Sequence, residues 1–292
     1  MLPPPSLLQV RTANGRTRRR RSNVRPLSSI LDVVNALAYL DRIGLGDAPP
    51  VNLDGLRALQ RAHLERVPFE NASVLRGEPI VLDTALLVDK VAARGRGGFC
   101  FELNGAFAWL LTTLGFEVAL LPGRFWSDRG LGPPNEHLAL RVTLDGERWL
   151  VDVGAGYSFR EPRHLAVGRE QEDPSGRFRL VPGRDAPASL DVEWLHRDGT
   201  WRPHYRFEDR AVSLDAFVEV CEFLASSPES PFTRGWICAR ALPDGGWATL
   251  DGLHLVVTGG DGRIDETLRG DALDDALLRW FDVPRIPGPA SR

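Results

Sequence analysis

Three residues of this 292-residue sequence, Cys100, His137 and Asp152, have side chains that together could carry an acyl group. A cysteine nucleophile needs a base to take its proton, and the base needs an acceptor that fixes its orientation. Cysteine, histidine and aspartate are residue types that fill these three positions. Whether the three side chains lie close together depends on the helices and strands that carry them.

Cys100 follows a glycine-rich stretch at the predicted start of a helix. The helix is predicted to begin at Phe99 or Cys100 and to run to Leu114, with Gly115 as its C-cap. The first turn of a helix has unpaired N–H groups and a partial positive charge, which favour a thiolate and could hold an oxyanion. Asn104 follows one turn later on the same face and is predicted to support the site.

A hairpin is predicted to connect His137 with Asp152. Asp145–Gly146 is a strong signal for a two-residue turn, and such a turn would place Asp152 opposite Ala139, diagonal to His137 on one face. Asp152 lies in the apolar run Trp149–Val153, where a carboxylate is costly to bury without a partner. His137 would supply that partner. A three-residue loop would reverse the parity and remove this argument.

The remaining cysteines and histidines are interpreted as packing or surface residues. Cys221 and Cys238 lie in apolar stretches and are predicted to be buried, and His204 is the best remaining candidate, for which a surface or packing role is favoured. Three cysteines do not suggest a disulfide framework, so a reducing, cytoplasmic location is expected. The sequence has no C-x-x-C or H-E-x-x-H pattern, and no metal site is predicted.

The predicted elements change character along the chain. Residues 31–116 are mostly helical, with Asp83 as the N-cap of a helix over 84–93. Residues 117–225 read as short antiparallel strands forming a sheet or barrel, with a turn at Pro182–Gly183 and a connecting helix over 213–223. Residues 226–292 form a small α/β unit whose closing helix covers about 271–281.

The charge distribution restricts the partners. The first 30 residues hold seven arginines and no acid, and the whole chain has a net charge of −3, so the remainder carries −10. An acidic body argues against nucleic acid as a partner, and no apolar run is long enough to span a membrane. Residues 1–30 are interpreted as a basic, disordered tail or a stretch upstream of the true start, with a targeting segment or a basic arm as alternatives.

Five segments resemble those of the arylamine N-acetyltransferase family. They are RGGFCFELNG at 96–105, VPFEN at 67–71, EHLALRV at 136–142, VDVG at 151–154 and SSPESPFT at 226–233. Each segment alone would be weak evidence. Their combined spacing is compatible with the family over residues 37–283, which makes the resemblance specific.

The resemblance implies an α+β fold with a helical bundle, an antiparallel β-barrel, a small α/β lid and a papain-like Cys-His-Asp arrangement. It implies a ping-pong reaction in which Cys100 takes acetyl from acetyl-CoA and passes it to an arylamine, arylhydrazine or arylhydroxylamine. His137 would keep Cys100 as a thiolate and handle the protons of the acceptor, and Asp152 would hold the imidazole tautomer. Acyl-CoA would be a co-substrate, with no tightly bound cofactor.

The resemblance also assigns supporting residues. Glu70 and Arg96 match an ion pair that positions the active-site loop, and Phe69 and Phe99 are candidate walls of the substrate pocket. The family commonly has Phe where this chain has Ala155, which predicts a roomier acceptor pocket or one filled by Tyr157 or Phe159.

Three other functions remain open at this stage. The same fold supports amide synthases that close macrolactams, and the triad is also compatible with a cysteine hydrolase. A non-catalytic protein that only binds ligand is the third, and the complete triad argues against it. The acceptor amine, the acyl chain length and the oligomeric state are not determined by the sequence.

Overall fold

The computed structural model describes residues 30–260 and 262–284, so the predicted basic tail lies almost wholly outside the described part. Residues 30–113 are mostly helical. Its helices are α1 (Ile30–Arg42), α2 (Leu53–Arg66), α3 (Ala72–Leu75), α4 (Thr84–Val88) with a π-helical continuation (Asp89–Ala93), and α5 (Cys100–Thr113).

The helix α5 lies at the centre of the molecule because its sequence is apolar around most of its circumference. Eleven of its fourteen residues are buried, and it packs against α1, α4 and the strands described below. On α1 the apolar spacing does not mark a single buried face, since Leu31, Val34 and Leu37 are exposed while Leu40 is buried. The predicted N-cap is confirmed, because Asp83 Oδ1 accepts the N–H groups at the start of α4.

An antiparallel sheet of nine strands follows. The short strand β1 (Phe69–Glu70) precedes them and is part of a second sheet, described below. The nine are β2 (Glu117–Ser127), β3 (Gly130–Leu131), β4 (His137–Leu144), β5 (Glu147–Val151), β6 (Arg163–His164), β7 (Gln171–Asp173), β8 (Gly176–Gly183), β9 (Ala186–Leu195) and β10 (Trp201–Glu208). Their spatial order is β6-β5-β4-β2-β10-β9-β8-β7, with β3 paired to β2. The outer strands approach each other, since Arg163 Nη1 donates to the carbonyl of Glu172 at 2.6 Å, and the sheet forms a nearly closed barrel.

The turn between β4 and β5 has the predicted geometry. Asp145 and Gly146 have φ values of 51° and 87°, as a two-residue hairpin turn requires, and Leu144 pairs with Glu147. The turn predicted at Pro182–Gly183 is wrong, because β8 continues through both residues. The strand register shifts at this point, which is where a sheet tolerates proline.

A second sheet pairs the short strand β1, from the helical region, with four later strands. Its order is β1, β11 (Ile237–Ala241), β12 (Trp247–Asp251), β13 (His254–Gly259) and β14 (Gly262–Thr267). Before it lie a 3₁₀ turn (Leu214–Phe217), α6 (Val218–Ser226) and a second 3₁₀ turn (Pro231–Thr233), and α7 (Asp271–Phe281) closes the fold. Strand β14 escaped prediction because all its residues are exposed and lack apolar alternation. The expected mixture of helices and antiparallel sheet is confirmed.

Within residues 30–260 and 262–284, no helix combines the length and apolar character needed to cross a bilayer.

Candidate functional site

The hairpin brings His137 and Asp152 into direct contact. His137 is the first residue of β4 and Asp152 follows β5, and Nε2 of the histidine lies 2.7 Å from Oδ2 of the aspartate. Both side chains are buried. This confirms the proximity predicted from strand parity and commits one imidazole nitrogen to the carboxylate.

Asn104 ties this pair to the helix that carries Cys100. Its Nδ2 donates to Asp152 Oδ1 at 2.9 Å and to the carbonyl of Leu138 at 2.6 Å. Its Oδ1 accepts the N–H of Val153 at 3.0 Å. One amide side chain thus bonds to both strands of the hairpin from the second turn of α5, which agrees with the supporting position predicted for it.

Cys100 begins α5 and lies against the end of the hairpin that carries His137. Its Sγ–H points to the carbonyl of Glu136 at 3.7 Å. Gly154 closes the other side, because a Cβ at that position would lie 2.7 Å from both Cys100 Cα and Asn104 Nδ2. The close approach of helix and hairpin therefore requires glycine at 154. Nδ1 of His137 is buried and has no hydrogen-bond partner within the described residues.

The electrostatics of the three residues differ. Burial raises the pKa of the Cys100 thiol well above its usual value, although backbone N–H groups of Leu138 and Phe101 oppose the rise. Burial is the largest single influence on Asp152 and acts to raise its pKa, but His137 and the N–H donors of Asn104 and Gly154 together outweigh it, so the pKa of that carboxyl is lowered. The helix start was expected to favour the thiolate, but desolvation is the larger effect on this thiol. Ionisation of this thiol needs a neighbouring base.

Glu70 and Arg96 hold the glycine loop that precedes Cys100. Arg96 Nη2 lies 3.5 Å from Glu70 Oε1, and the backbone N–H of Glu70 donates to the carbonyl of Gly98 at 2.9 Å. The second oxygen of Glu70 accepts the N–H of Ala72. The loop-positioning role that the resemblance implies for this pair stays a prediction.

A second ion pair beneath the loop was missed by sequence reasoning. Lys90 Nζ lies 2.6 Å from Glu102 Oε1, and both side chains are buried. The other oxygen of Glu102 accepts the N–H of Phe99 at 3.2 Å, which caps the first turn of α5. The available signal was the position of Glu102 three residues after Phe99, at the start of the predicted helix, where a glutamate can accept the N–H of the N-cap residue.

Aromatic rings surround His137, and the sequence did not identify them as neighbours. The ring centroids of Phe125 and Tyr205 lie 4.6 Å and 5.0 Å from that of His137. Burial and the nearby Asp152 carboxylate raise the pKa of Tyr205 well above its usual value. These rings come from β2 and β10, so the strand order assembles this wall.

The three residues predicted to bind substrate occupy different surroundings. Phe69 is partly exposed and contacts Phe232 at 6.1 Å, whereas Phe99 is fully buried between Phe101 and Phe232. The ring of Phe99 is fully enclosed and exposes no surface. Ala155 is partly buried against the aromatic core of the barrel.

A cleft of about 860 Å³ opens between the barrel and the C-terminal sheet. Tyr157 and Trp194 line it with their rings 4.8 Å apart, and three arginines, Arg177, Arg197 and Arg263, lie along it. Arg177 is paired with Glu172 and Arg263 with Asp265. Arg197 has no acidic partner among the residues that the structure describes, so this cleft offers a cation to an anionic ligand.

Comparison with known proteins gives the class of enzyme. The sequence model of a family described as N-acetyltransferase matches residues 52–283. The arylamine N-acetyltransferase of Escherichia coli is 36% identical over 219 residues, which cover 74% of this chain and 76% of that one. The human arylamine N-acetyltransferase 1 is 31% identical, over 71% of this chain and 78% of the human one.

Solved structures agree with the sequence comparison. The arylamine N-acetyltransferase of Salmonella typhimurium superimposes with a TM-score of 0.78 at 30% identity, over 84% of this chain and 89% of that one. The Mycobacterium marinum arylamine N-acetyltransferase, solved in complex with CoA, gives 0.76 at 31% identity, over 83% and 90%. The chain belongs to the arylamine N-acetyltransferase family. It is an acyl-CoA-dependent N-acetyltransferase, as the five sequence segments predicted.

Proposed function

We propose that Cys100 carries the acetyl group as a thioester in a ping-pong reaction, with His137 as base and Asp152 as its orienting acceptor. The observation that supports this most is the 2.7 Å contact between His137 Nε2 and Asp152 Oδ2. This contact leaves Nδ1 of His137 free. Cys100 Sγ contacts the carbonyl of Glu136, the residue that precedes His137. One nitrogen is oriented, and the other is available for the thiol proton.

The first half-reaction acetylates the enzyme. Nδ1 takes the Sγ proton, and the thiolate attacks the thioester carbonyl of acetyl-CoA to form a new S–C bond. The bond from that carbon to the CoA sulfur then breaks, and CoA leaves as a thiol with the proton from the imidazolium. The N–H groups of Leu138 and Phe101 that oppose the rise of the thiol pKa stabilise the negative sulfur as it forms.

The second half-reaction releases the acetyl group to nitrogen. An arylamine, arylhydrazine or arylhydroxylamine attacks the thioester carbon, and His137 Nδ1 takes the proton that this nitrogen loses. The C–Sγ bond breaks and the same proton returns to Cys100. Ala155, at the aromatic core of the barrel, borders the space for the acceptor.

We propose that the anionic part of acyl-CoA binds in the cleft between the barrel and the C-terminal sheet, here called the barrel–lid cleft. Tyr157 lines the cleft and is only three residues beyond Gly154, which packs against Cys100. Three residues span about 11 Å at most, so the cleft lies within reach of the nucleophile. Its arginines supply the charge that phosphate groups require.

Intact-mass spectrometry after incubation with acetyl-, propionyl- and malonyl-CoA tests the proposal. We expect a mass gain of one acyl group that identifies the preferred donor, is lost in Cys100→Ser and is retained in the buried-cysteine control Cys221→Ser. Addition of an arylamine should remove the gained mass. A gain that persists in Cys100→Ser would refute the thioester, and rapid CoA release without amine would indicate a hydrolase.

A further inference from the structure

His204 occupies an irregular position in β10. Pro203 pairs with Glu193 and Tyr205 with Val192, so His204 is an extra residue without a partner on β9. A bulge of this kind bends the strand and changes the direction of the side chain, and bulges are over-represented next to active sites. The strand thus departs from regular pairing at the residue beside Tyr205, which contacts His137.

The ring of His204 lies in the same aromatic cluster as that of His137. Its centroid is 5.6 Å from Phe125 and 5.5 Å from Tyr205, and both rings also contact His137. On its other side, Trp194 lies 6.4 Å away. Since Trp194 lines the barrel–lid cleft, His204 lies between that cleft and the proposed base.

His204 is a polar side chain among the aromatic rings of Phe125, Trp194 and Tyr205. Its Nε2 is buried and has no hydrogen-bond partner among the described residues. Burial lowers the pKa of His204 to about 4, which Asp152 opposes and His137 and His196 reinforce, so the imidazole is neutral near pH 7. A buried polar atom without a partner is costly, and an aromatic residue would fill the same space without that cost.

We propose that His204 selects acceptors that carry a neutral hydrogen-bonding group, such as a ring hydroxyl, at the end of the aryl ring away from the amine. This rests on the proposed function. The acceptor ring would lie against Phe125, with its amine toward Cys100 and its hydroxyl bonded to Nε2 of His204.

A neutral group fits this position better than a charged one. The imidazole supplies no positive charge, and the Asp152 carboxylate is close enough to influence its titration. A carboxylate on the acceptor would therefore lose its hydration and meet a like charge in a region of low dielectric. We expect hydroxyl-substituted anilines to be preferred over both methyl- and carboxyl-substituted ones.

Acceptor ranking tests this proposal. With the wild-type enzyme, kcat/KM should be about tenfold higher for 4-aminophenol than for p-toluidine, the value of one good hydrogen bond, and lowest for p-aminobenzoate. In His204→Phe the ratio of the first two should fall to about one, and His204→Gln should retain part of it. The control His164→Phe changes a histidine that packs on Trp149 in the barrel and should keep the wild-type ratio.

The outcomes separate this proposal from the one on which it rests. Loss of the mass gain at Cys100 in the wild type would refute the thioester mechanism. Normal acetylation of Cys100 with an unchanged ratio in His204→Phe would refute the selection by His204, as would an equal fall in His164→Phe. If His204→Phe does not fold, a wild-type preference for p-aminobenzoate or an unchanged ratio in His204→Ala would overturn it.

Discussion

Asn104 Nδ2 and Asp152 Oδ1 are joined by a 2.9 Å hydrogen bond between the cysteine helix and the histidine hairpin. The two residues are 48 positions apart in sequence. Through this bond the carboxylate that orients His137 is itself oriented by the element that carries Cys100. The relative position of the proposed nucleophile and base therefore depends on this buried amide.

Replacing this amide should affect both stability and acetylation. Asn104→Ala removes three buried hydrogen bonds, and we expect a loss of about 2–4 kcal/mol in the free energy of unfolding. Because the hairpin is no longer fixed to α5, the rate of Cys100 acetylation should fall roughly 100-fold. Urea unfolding and single-turnover CoA release measure the two effects.

Thr112→Ala is the control, since Thr112 lies on the same helix and its hydroxyl donates to the Ala108 carbonyl one turn earlier. A wild-type acetylation rate in folded Asn104→Ala would contradict the positioning role.

The thiol of Cys100 should depend on His137 for its reactivity near neutral pH. Burial raises the pKa of Cys100 above its usual 9.0, so without a base the thiolate forms only in more alkaline solution. We expect iodoacetamide to label Cys100 at pH 7 in the wild type, and the labelling profile of His137→Ala to move above pH 9. Peptide mass mapping measures each cysteine separately.

Cys221 is an internal control for this measurement, because burial raises its pKa to about 12 and it has no such base in the proposed mechanism. Identical labelling profiles for the wild type and His137→Ala would show that His137 does not take the proton.

The Lys90–Glu102 pair predicts a pH-dependent stability. Burial raises the pKa of Glu102 and Lys90 opposes that rise, so Lys90→Met should raise it further. A carboxyl whose folded pKa lies above its unfolded value loses stability as the pH rises through the folded pKa. The variant should therefore lose about 3 kcal/mol at pH 8 and less at pH 5.

Urea unfolding at both pH values checks this difference. The double variant Lys90→Met/Glu102→Gln removes the buried charge and should recover part of the loss at pH 8. Equal losses at the two pH values would exclude an uncompensated carboxylate as the cause.

The contact between His137 and Asp152 could be predicted from sequence because it depends on one hairpin, whose turn and strands are adjacent in the chain. A two-residue turn and the alternation of side chains in a strand allow one register for β4 and β5, and that register brings His137 to Asp152. The contact of Cys100 with this hairpin depends on helix-to-sheet packing, for which spacing carries no signal. Phe125 contacts His137, and His204 contacts Phe125, only through the strand order β4-β2-β10 and a bulge.

The helix start illustrates a different limit. Sequence placed the first turn of α5 correctly at Cys100. The sequence does not show how deeply Cys100 is buried. Burial decides whether the partial positive charge of the helix or the loss of hydration has the larger effect on the pKa of the thiol.

Ala155→Phe should change acceptor preference. A phenyl ring at the barrel core would add a wall to the acceptor space, so we expect small anilines to show a lower KM and bulky arylamines a lower kcat/KM, each by about tenfold. Steady-state kinetics with aniline and 2-aminofluorene check this. Ala188→Phe, on an exposed position of β9, is the matched control. Unchanged preference in Ala155→Phe would refute a roomier pocket.

Arg197→Gln should weaken acyl-CoA binding without changing the acceptor. The side chain lies in the cleft without an acidic partner within the described residues, and we expect its loss to raise the KM for acetyl-CoA about fivefold while the KM for the arylamine stays constant. The control Arg202→Gln removes a neighbouring arginine that is paired with Asp198. An equal rise in both variants would exclude a specific contact.

Lys90 is the only lysine in the sequence, and it is enclosed against Glu102. An acetyl thioester reacts with any accessible amine, so a surface that bears lysine would compete with the acceptor for the bound group. This chain presents no exposed lysine amine to the proposed thioester of Cys100. Self-acetylation of surface lysines is therefore no side reaction of the proposed mechanism, and reagents that couple proteins through exposed lysines have none to attack.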